Sequence, residues 1–406
     1  MKKTMDELFS QTGAIRKRTW AEIDLDAAKQ NYLFLQSRLC GGAKMCCVIK
    51  ANGYGHGAVE LARLYEALGA AFFAVSNLEE ALQLREAGLK LPVLILGYTP
   101  PACAPLLARY DIRQCVFSSE YGQALSGEAV RSKCEVTVHI KLDTGMGRIG
   151  FLCRGRQRQC KEAAQVCRLP GLKPEGVFTH FCVADEAQGQ SATNAQFEAF
   201  LNGIEAIEKE RVRFEIRHCA NSAAILAYPR THLDMARAGI SLYGLAPSRD
   251  LENQASVVPV MTLKSVIAHI KDVQPGETVG YGATYVASET RRVATVCIGY
   301  ADGLPRLCGQ GRYAFLVSGC KAPILGRVCM DQVMIDVTGI DCTPGDEVEI
   351  FGRHPGFTAE DLASAAGTIG YETVCDVGIR VPRIYIRDGK AVELTDLLFS
   401  GAESVG

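Results

Sequence analysis

The chain has 406 residues, of which 48% are hydrophobic and 22% charged. That is an ordinary globular composition; it excludes global disorder, and the length suits two or three domains or one barrel plus a smaller module. Forty-four Lys and Arg against 45 Asp and Glu give a net charge of −1, which argues against non-specific nucleic-acid binding and polybasic membrane docking. The 17 cysteines include no Cys-x-x-Cys, so neither a zinc knuckle nor a thioredoxin-type pair has its usual spacing, and no metal is expected. Cys153, Cys160 and Cys167 recur every seven residues and read as small buried thiols on one helix face. The amino terminus carries no apolar stretch of signal-peptide length. The longest uncharged run, Leu91 to Ala108, holds four prolines and reads as a strand plus loop rather than a membrane span. The expectation is a soluble, cytoplasmic chain with reduced thiols.

In chain order, residues 1–16 read as a tail. Glu22-Ile-Asp-Leu-Asp is a strand that either stays with the following barrel or joins a later β domain. Eight short apolar runs then follow at fairly regular intervals: Met45–Ile49, Ala71–Val75, Pro92–Leu96, Ile112–Phe117, Val136–Leu142, Gly176–Phe181, Phe214–Cys219 and Met235–Leu242. Helical patterns such as Leu78–Ala87 and Asn194–Leu201 lie between most of them. Eight strands alternating with helices predict an α/β fold, a (β/α)8 TIM barrel over residues 17–247. The competing arrangement is a doubly wound open sheet, and no clean dinucleotide fingerprint opens the series. After Pro247 the pattern turns to strands with Pro-Gly and Asp-Gly turns: Val257–Val273, Arg292–Ile298, Tyr313–Val317, Val333–Val337 and Glu347–Phe351. A helix at Thr358–Ala366 precedes a last strand near Arg380–Arg387. Residues 248–395 are therefore expected to form a mainly-β C-terminal domain, with 396–406 as a tail.

Barrel enzymes carry their chemistry at the C-terminal ends of strands. Strand 1 runs into Lys50-Ala-Asn-Gly-Tyr-Gly-His-Gly, strand 5 ends in Lys141-Leu-Asp-Thr-Gly-Met-Gly-Arg148, strand 6 ends at His180, strand 7 leads into Cys219-Ala-Asn-Ser222, and strand 8 carries Arg237-Ala-Gly239. Lys50, closing an apolar strand before a glycine-rich turn, reads either as a lysine whose stem packs while its head reaches water, or as an amine of lowered pKa able to form a Schiff base. Ser222 and Gly239 fall where barrels bind phosphate. A Schiff-base lysine and a phosphate site in one barrel mouth point to pyridoxal phosphate, with a sugar-phosphate aldolase sharing both features. Gly145-Met-Gly-Arg-Ile-Gly150 matches Gly-x-Gly-x-x-Gly, but it begins mid-chain, and the nearest acids, Glu162 and Glu175, fit a dinucleotide site poorly. No P-loop motif occurs. In the β domain, Tyr281-Gly-Ala-Thr-Tyr285, Gly299-Tyr-Ala-Asp-Gly303 and Arg327-Val-Cys-Met-Asp-Gln332 each read singly as a turn.

Together these stretches resemble the alanine racemases, fold-type III pyridoxal-phosphate enzymes, in the same order from about Arg18 to Arg387. Lys50-Ala-Asn-Gly-Tyr-Gly-His-Gly is similar to the cofactor-lysine motif. His180-Phe-Cys-Val-Ala-Asp-Glu, Cys219-Ala-Asn-Ser, Arg237-Ala-Gly-Ile-Ser-Leu-Tyr-Gly, Tyr281-Gly-Ala-Thr-Tyr and Cys329-Met-Asp-Gln look like the family's other signatures. The first motif is shared in part with related decarboxylases and small carrier barrels.

The resemblance implies that Lys50 holds pyridoxal 5'-phosphate, with Tyr54, Asn221, Ser222 and the amides of Gly239 and Ile240 around its phosphate. Arg237 would face the pyridine nitrogen, with His180 and His218 flanking it. Lys50 and Tyr281 would be the two catalytic bases, on the D and L faces of the substrate. The Tyr281 phenol would need cationic neighbours, His180 and through it Arg237. Arg148 would bind the cofactor's phenolate oxygen and the substrate carboxylate. Lys141 resembles the lysine that the family carbamylates to pair with Arg148; the alternative is a plain lysine beside chloride or water. Tyr281 and Met330 would come from the partner in a homodimer with shared sites. Asp185, Tyr300, Arg306, Arg327 and Asp331 match positions at the substrate entrance. One departure is Ile379, in Gly378-Ile-Arg-Val-Pro-Arg383, where many members have tyrosine. The implied activity is alanine racemisation supplying D-alanine for peptidoglycan. The alternatives are a serine or broad-specificity racemase, a fold-type III decarboxylase, and a non-catalytic cofactor carrier.

Overall fold

The computed structural model describes residues 18–153 and 157–396. The expected tails lie outside these residues, Asp396 excepted. The chain divides into two compact units: residues 29–53 with 58–257, and residues 18–28 with 54–57 and 258–396.

The first unit is built on eight parallel strands: β1 (Lys44–Val48), β2 (Phe72–Val75), β3 (Val93–Ile95), β4 (Ile112–Val116), β5 (Val136–Asp143), β6 (Leu172–Phe178), β7 (Ile216–His218) and β8 (Met235–Ala238). They run in the order β8-β1-β2-β3-β4-β5-β6-β7. The β7–β8 seam is bridged by Arg237 N–H to Ala220 O at 3.0 Å and Asp234 N–H to Arg217 O at 3.2 Å, giving a nearly closed barrel. Strands such as β2 are buried along their whole length, as expected for parallel strands apolar on both faces. Side-chain caps start the helices that follow: Asn77 accepts from Glu80 N–H and Ser118 from Tyr121 N–H, each satisfying an amide the first turn leaves open.

Four local differences from the sequence reading stand out. Strand 8 was expected to reach Leu242, but Gly239 leaves the extended region (φ −121°, ψ −110°) and Ile240–Tyr243 is a 3-10 turn. Cys153 precedes the helix Gln157–Val166, which carries Cys160 and ends just before Cys167, so the three do not share one helix face. The stretch Leu91–Ala108 is a strand followed by helical turns from Pro101, because proline is tolerated in a helix's first turn. Strand 6 begins at Leu172, earlier than expected, and its register against β5 breaks: Val138 opposes Pro174 and His139 opposes Gly176, leaving Glu175 as the extra residue.

The second unit holds the antiparallel strands β9 (Met261–Val273), β10 (Arg291–Val296), β11 (Ala314–Val317), β12 (Cys320–Leu325), β13 (Val333–Asp336) and β14 (Glu347–Phe351). They pair in the order β10-β13-β12-β11-β14-β9, and β9 pairs with β10 again to close the ring. The 13-residue β9 reaches both neighbours by way of a bulge between Ile267 and His269. The amino-terminal strand Thr19–Asp24 belongs to this sheet, antiparallel to β9 and parallel to β15 (Arg383–Arg387), with β16 (Lys390–Thr395) at the edge. Trp20 is buried there with Ile384 and Val266; emptying such a site costs ~3–5 kcal/mol. Arg18 pairs both carboxylate oxygens of the fully buried Asp302 at 2.8 and 2.9 Å. The expected helix appears as Ala359–Ala366 with Thr358 and Asp361 in a capping box, and a second helix, Gly370–Cys375, was not read from the sequence.

Candidate active site

Lys50, half-buried, sits two residues past β1. The backbone after it coils left-handed through Ala51 (φ 51°), Asn52 (52°), Gly53 (61°) and Tyr54 (50°). Non-glycine residues resist this region by about 1–2 kcal/mol each, so local bonds must hold the turn. Glu80 accepts from Ala51 N–H at 2.6 Å, Gly53 N–H returns to Ile49 O at 2.9 Å, and Asn52 Oδ1 caps Ala58 N–H at 3.0 Å. Stored backbone strain of this kind marks functional positions.

Around the ends of β5 to β8 the barrel is densely wired. The buried Arg237 gives Nη1–H to His218 Nδ1 (2.9 Å) and His218 O (3.1 Å), and Nη2–H to Thr179 O (2.8 Å), Cys219 O (3.1 Å) and His180 Nδ1 (3.2 Å). Its Nε–H is left without a partner among the described residues. Burial, then the Arg237 charge, pushes both His180 and His218 well below the ordinary histidine range, so both rings are neutral. His180 therefore cannot itself be the cation expected to support a phenolate; Arg237 keeps that charge, since a guanidinium starts too high for burial to neutralise it.

Lys141 is buried on β5 with its Nζ 5.0 Å from the Phe178 ring centroid. Burial first, then Arg237, lowers its pKa to about 7. Arg148 lies exposed on the loop after β5, close enough to contribute to that shift. The Gly-x-Gly-x-x-Gly stretch is that loop. All three of its glycines have positive φ, and Asp143 Oδ1 holds the amides of Gly145 (2.9 Å) and Gly147 (3.2 Å). At the barrel's other candidate anion site, Asn221 caps Ala224 N–H and the Ser222 hydroxyl accepts Gly239 N–H at 2.8 Å. Gly239's amide is thus spent on Ser222, leaving the Ser222 proton and the Ile240 amide, an open first amide of its turn, as donors. The carbonyl of Asp185 accepts from the Ser248 hydroxyl.

In the second unit, Tyr54 is buried against Tyr371, with ring centroids 6.4 Å apart. Gly55 and Gly57 are required here: a Cβ would fall 2.0 Å from Val374 O and 1.8 Å from the Tyr385 hydroxyl. Tyr281 is 70% exposed, Met330 52% and Ile379 61%. Tyr281, Met330, Asp331 and Gln332 line an open cleft of ≈ 370 Å³. Arg327 packs over the backbone of Gly282, where a Cβ would meet its guanidinium at 2.9 Å. Tyr300 N–H bonds Cys329 O at 3.0 Å and Ala301 N–H bonds Met330 O at 3.0 Å, tying two of the three sequence clusters together. Arg380 bridges Asp331 (2.7 Å) and buried Asp302 (3.2 Å). Arg306 is exposed in a 3-10 turn close to Cys329.

The family models "Alanine racemase, N-terminal domain" and "Alanine racemase, C-terminal domain" match residues 23–247 and 260–385. The chain belongs to the alanine racemase family. It is 46% identical over 372 residues to the alanine racemase of Desulfovibrio desulfuricans, covering 90% of this chain and 98% of that one. It is 43% identical over 374 residues to that of Desulforamulus reducens, covering 92% and 100%. Among solved structures it is similar to alanine racemase of Clostridium difficile 630 (TM-score 0.89, 38% identity, 94% and 99% covered). It is also similar to the Bacillus anthracis alanine racemase with bound L-Ala-P (TM-score 0.89, 35% identity, 94% and 98% covered). As an alanine racemase the chain is an isomerase that uses pyridoxal 5'-phosphate, and the decarboxylase, serine-racemase and carrier readings are not favoured.

The barrel groups fit that cofactor. One guanidinium N–H is left over for a ring nitrogen, and a hydroxyl and an amide for a phosphate, while Lys50 has a half-buried amine of the type that covalent attachment needs. Sequence reasoning missed His139, Glu175, Asp302 and Arg380. Each lies far along the chain from its partner; strand pairing brings His139 to Glu175, and turns bring Arg380 to Asp302. No helix among the described residues is long and apolar enough to cross a membrane.

Proposed function

We propose that the chain interconverts L- and D-alanine with Lys50 and Tyr281 as bases on opposite faces of the α-carbon, in a site that a second copy of the chain completes, and that the D-alanine feeds peptidoglycan precursors in the cytoplasm. When bound, pyridoxal phosphate supplies an electron sink that acidifies the substrate's α-proton. Lys50 would hold it covalently. Tyr54, Asn221, Ser222 and Ile240 would surround its phosphate, with Gly239 acting by orienting Ser222.

The observation that carries racemisation over decarboxylation is Arg237. Its Nε–H would meet the ring nitrogen, and an arginine gives a hydrogen bond while keeping its proton. Arg237 would thus leave the cofactor a weaker electron sink, which suits return of a proton to the α-carbon. Arg148 would bind the substrate carboxylate and the cofactor's phenolate oxygen. Lys141, at about 7, is about half unprotonated near neutrality; that amine can add to carbon dioxide, releasing one proton, to form a carbamate anion that would pair with Arg148 and aim it.

The exposure of Tyr281 and Met330 around an open cleft supports their serving the barrel of a partner subunit, since a phenol used as a base needs a cationic neighbour such as the barrel's Arg237. There the charge of Arg237, relayed by neutral His180, would favour the phenolate. Asp185, Tyr300, Arg306, Arg327 and Asp331 would border the entrance, and Ile379 the pocket beside Tyr281. Incubation with L-alanine in heavy water tests the proposal. D-alanine carrying α-deuterium without carbon dioxide is expected, and carbon dioxide release would overturn it.

A further inference from the structure

A line of hydrogen bonds runs through the barrel interior on side chains from five consecutive strands. Arg113 on β4 gives Nε–H and Nη2–H to the two oxygens of Glu175 on β6, at 3.2 and 3.3 Å. Glu175 Oε2 lies 2.9 Å from His139 Nε2 on β5. His139 Nδ1 lies 2.9 Å from His218 Nε2 on β7, and His218 Nδ1 lies 2.9 Å from Arg237 Nη1 on β8. Both histidines and Arg237 are fully buried or nearly so.

The ends of this line decide its direction. A guanidinium can only donate and a carboxylate can only accept. His218 Nδ1 must therefore be the acceptor from Arg237, so its Nε2 carries the hydrogen and donates to His139 Nδ1. His139 in turn carries its hydrogen on Nε2 and donates to Glu175. Each neutral ring has one allowed tautomer, and a reversal anywhere would leave two donors or two acceptors face to face in a dry interior.

The backbone is cut to fit this line. The register break of β6 against β5 falls at Glu175. At Gly176 a Cβ would sit 2.5 Å from His139 Nδ1, so any other residue would push the ring off its partners. Phe178 stacks on His218 with centroids 4.9 Å apart and planes 9° from parallel. Burial lowers the pKa of His139 against the pull of Glu175. Burial acts to raise Glu175, but the bonds from His139 and Arg113 outweigh it and bring the carboxyl to about 2.

We infer that Glu175 and His139 are positioning residues for the racemase reaction: through His218 they fix Arg237 and set the strength of the donor it offers the cofactor's ring nitrogen. The inference rests on the reading that Arg237 Nε–H meets that nitrogen. Glu175 places a full negative charge at the far end, polarising both imidazoles toward it and partly balancing the buried guanidinium. Withdrawing that charge makes Arg237 a stronger donor at the ring and loosens its orientation.

The test uses the holoenzyme carrying cofactor labelled with ¹⁵N in the ring. The ¹⁵N shift is read in wild type, Glu175→Gln, Gly176→Ala and Arg237→Ala. Arg237→Ala should move the resonance most. Glu175→Gln and Gly176→Ala should move it measurably, and kcat should fall about tenfold with KM held within about twofold, the pattern of a lost transition-state interaction. If Arg237→Ala shifts the resonance but neither relay variant does, the relay is overturned while the Arg237 reading stands. If Arg237→Ala leaves it unchanged, that reading fails and the inference with it. The wild type alone gives a second measurement, should a variant fail to fold. Histidine side-chain ¹⁵N spectra should show His139 and His218 both neutral and protonated on Nε2. Protonation on Nδ1 of either ring would contradict the relay.

Discussion

The residues proposed for the reaction stand in opposite states in the barrel and in the β unit. Arg237, His218 and Lys141 are between 0% and 3% exposed, with charges and tautomers set by burial and by one another. Tyr281, Met330 and Ile379 are 52–70% exposed on a surface whose apolar side chains gain nothing until something covers them. On the proposed function, the difference teaches that one half of this chemistry is organised by folding and the other by association. Changes in the barrel half should move stability and activity together, whereas changes in the β-unit half should move activity while leaving the folded chain nearly as stable.

The largest break in that comparison is Lys50→Ala. Activity should fall by ~10⁴-fold or more, because the proposal makes the amine both tether and base. Borohydride reduction and mass spectrometry should place the cofactor adduct on Lys50 in wild type and find none at this position in the variant. Next comes Tyr281→Phe. Exchange of the α-proton of L-alanine should drop ~10²–10⁴-fold, and that of D-alanine much less. Unfolding free energy should change by no more than about 0.5 kcal/mol, as for other exposed positions, and a larger loss would place Tyr281 in a packed environment.

Lys141 sharpens the contrast from the barrel side. Its folded pKa of about 7 lies below the unfolded value of ~10.4, so between these limits the unfolded chain binds more protons and stability rises with pH. The slope should approach about 1.4 kcal/mol per pH unit. Denaturant unfolding of cofactor-free protein without bicarbonate would read it, and bicarbonate should flatten it if the amine becomes a carbamate. A flat profile without bicarbonate would mean Lys141 is paired or hydrated. The smallest effect is expected at Ile379→Tyr. A regained hydroxyl should raise alanine over serine by ~1–3 kcal/mol in specificity constants, with unfolding unchanged.

The barrel is legible in the sequence because a parallel strand covered on both faces is a short apolar run, and eight such runs survive as β1 to β8. The cluster motifs are legible because glycine and polar residues close those strands. The left-handed turn after Lys50 is not, since nothing in Ala51 or Asn52 demands positive φ; Glu80 and Ala58 impose it from elsewhere. Gly239 looks like a phosphate donor in sequence, and only the fold reveals that Ser222 takes its amide. The amino-terminal strand could not be assigned because its partners, Leu263 and Ile384, lie far along the chain. Glu175 was weighed only as a dinucleotide-site acid; its role depends on a register break that no local pattern encodes.

The claim that the site is shared between two copies is tested most directly by mixing two inactive variants, Lys50→Ala and Tyr281→Ala, under conditions that let subunits exchange. In a two-fold dimer about half the molecules become hybrids, each with one site carrying both lesions and one carrying neither. Activity should recover to about a quarter of wild type. No recovery, with exchange confirmed by native mass spectrometry, would contradict the shared site and leave Tyr281 acting within its own subunit.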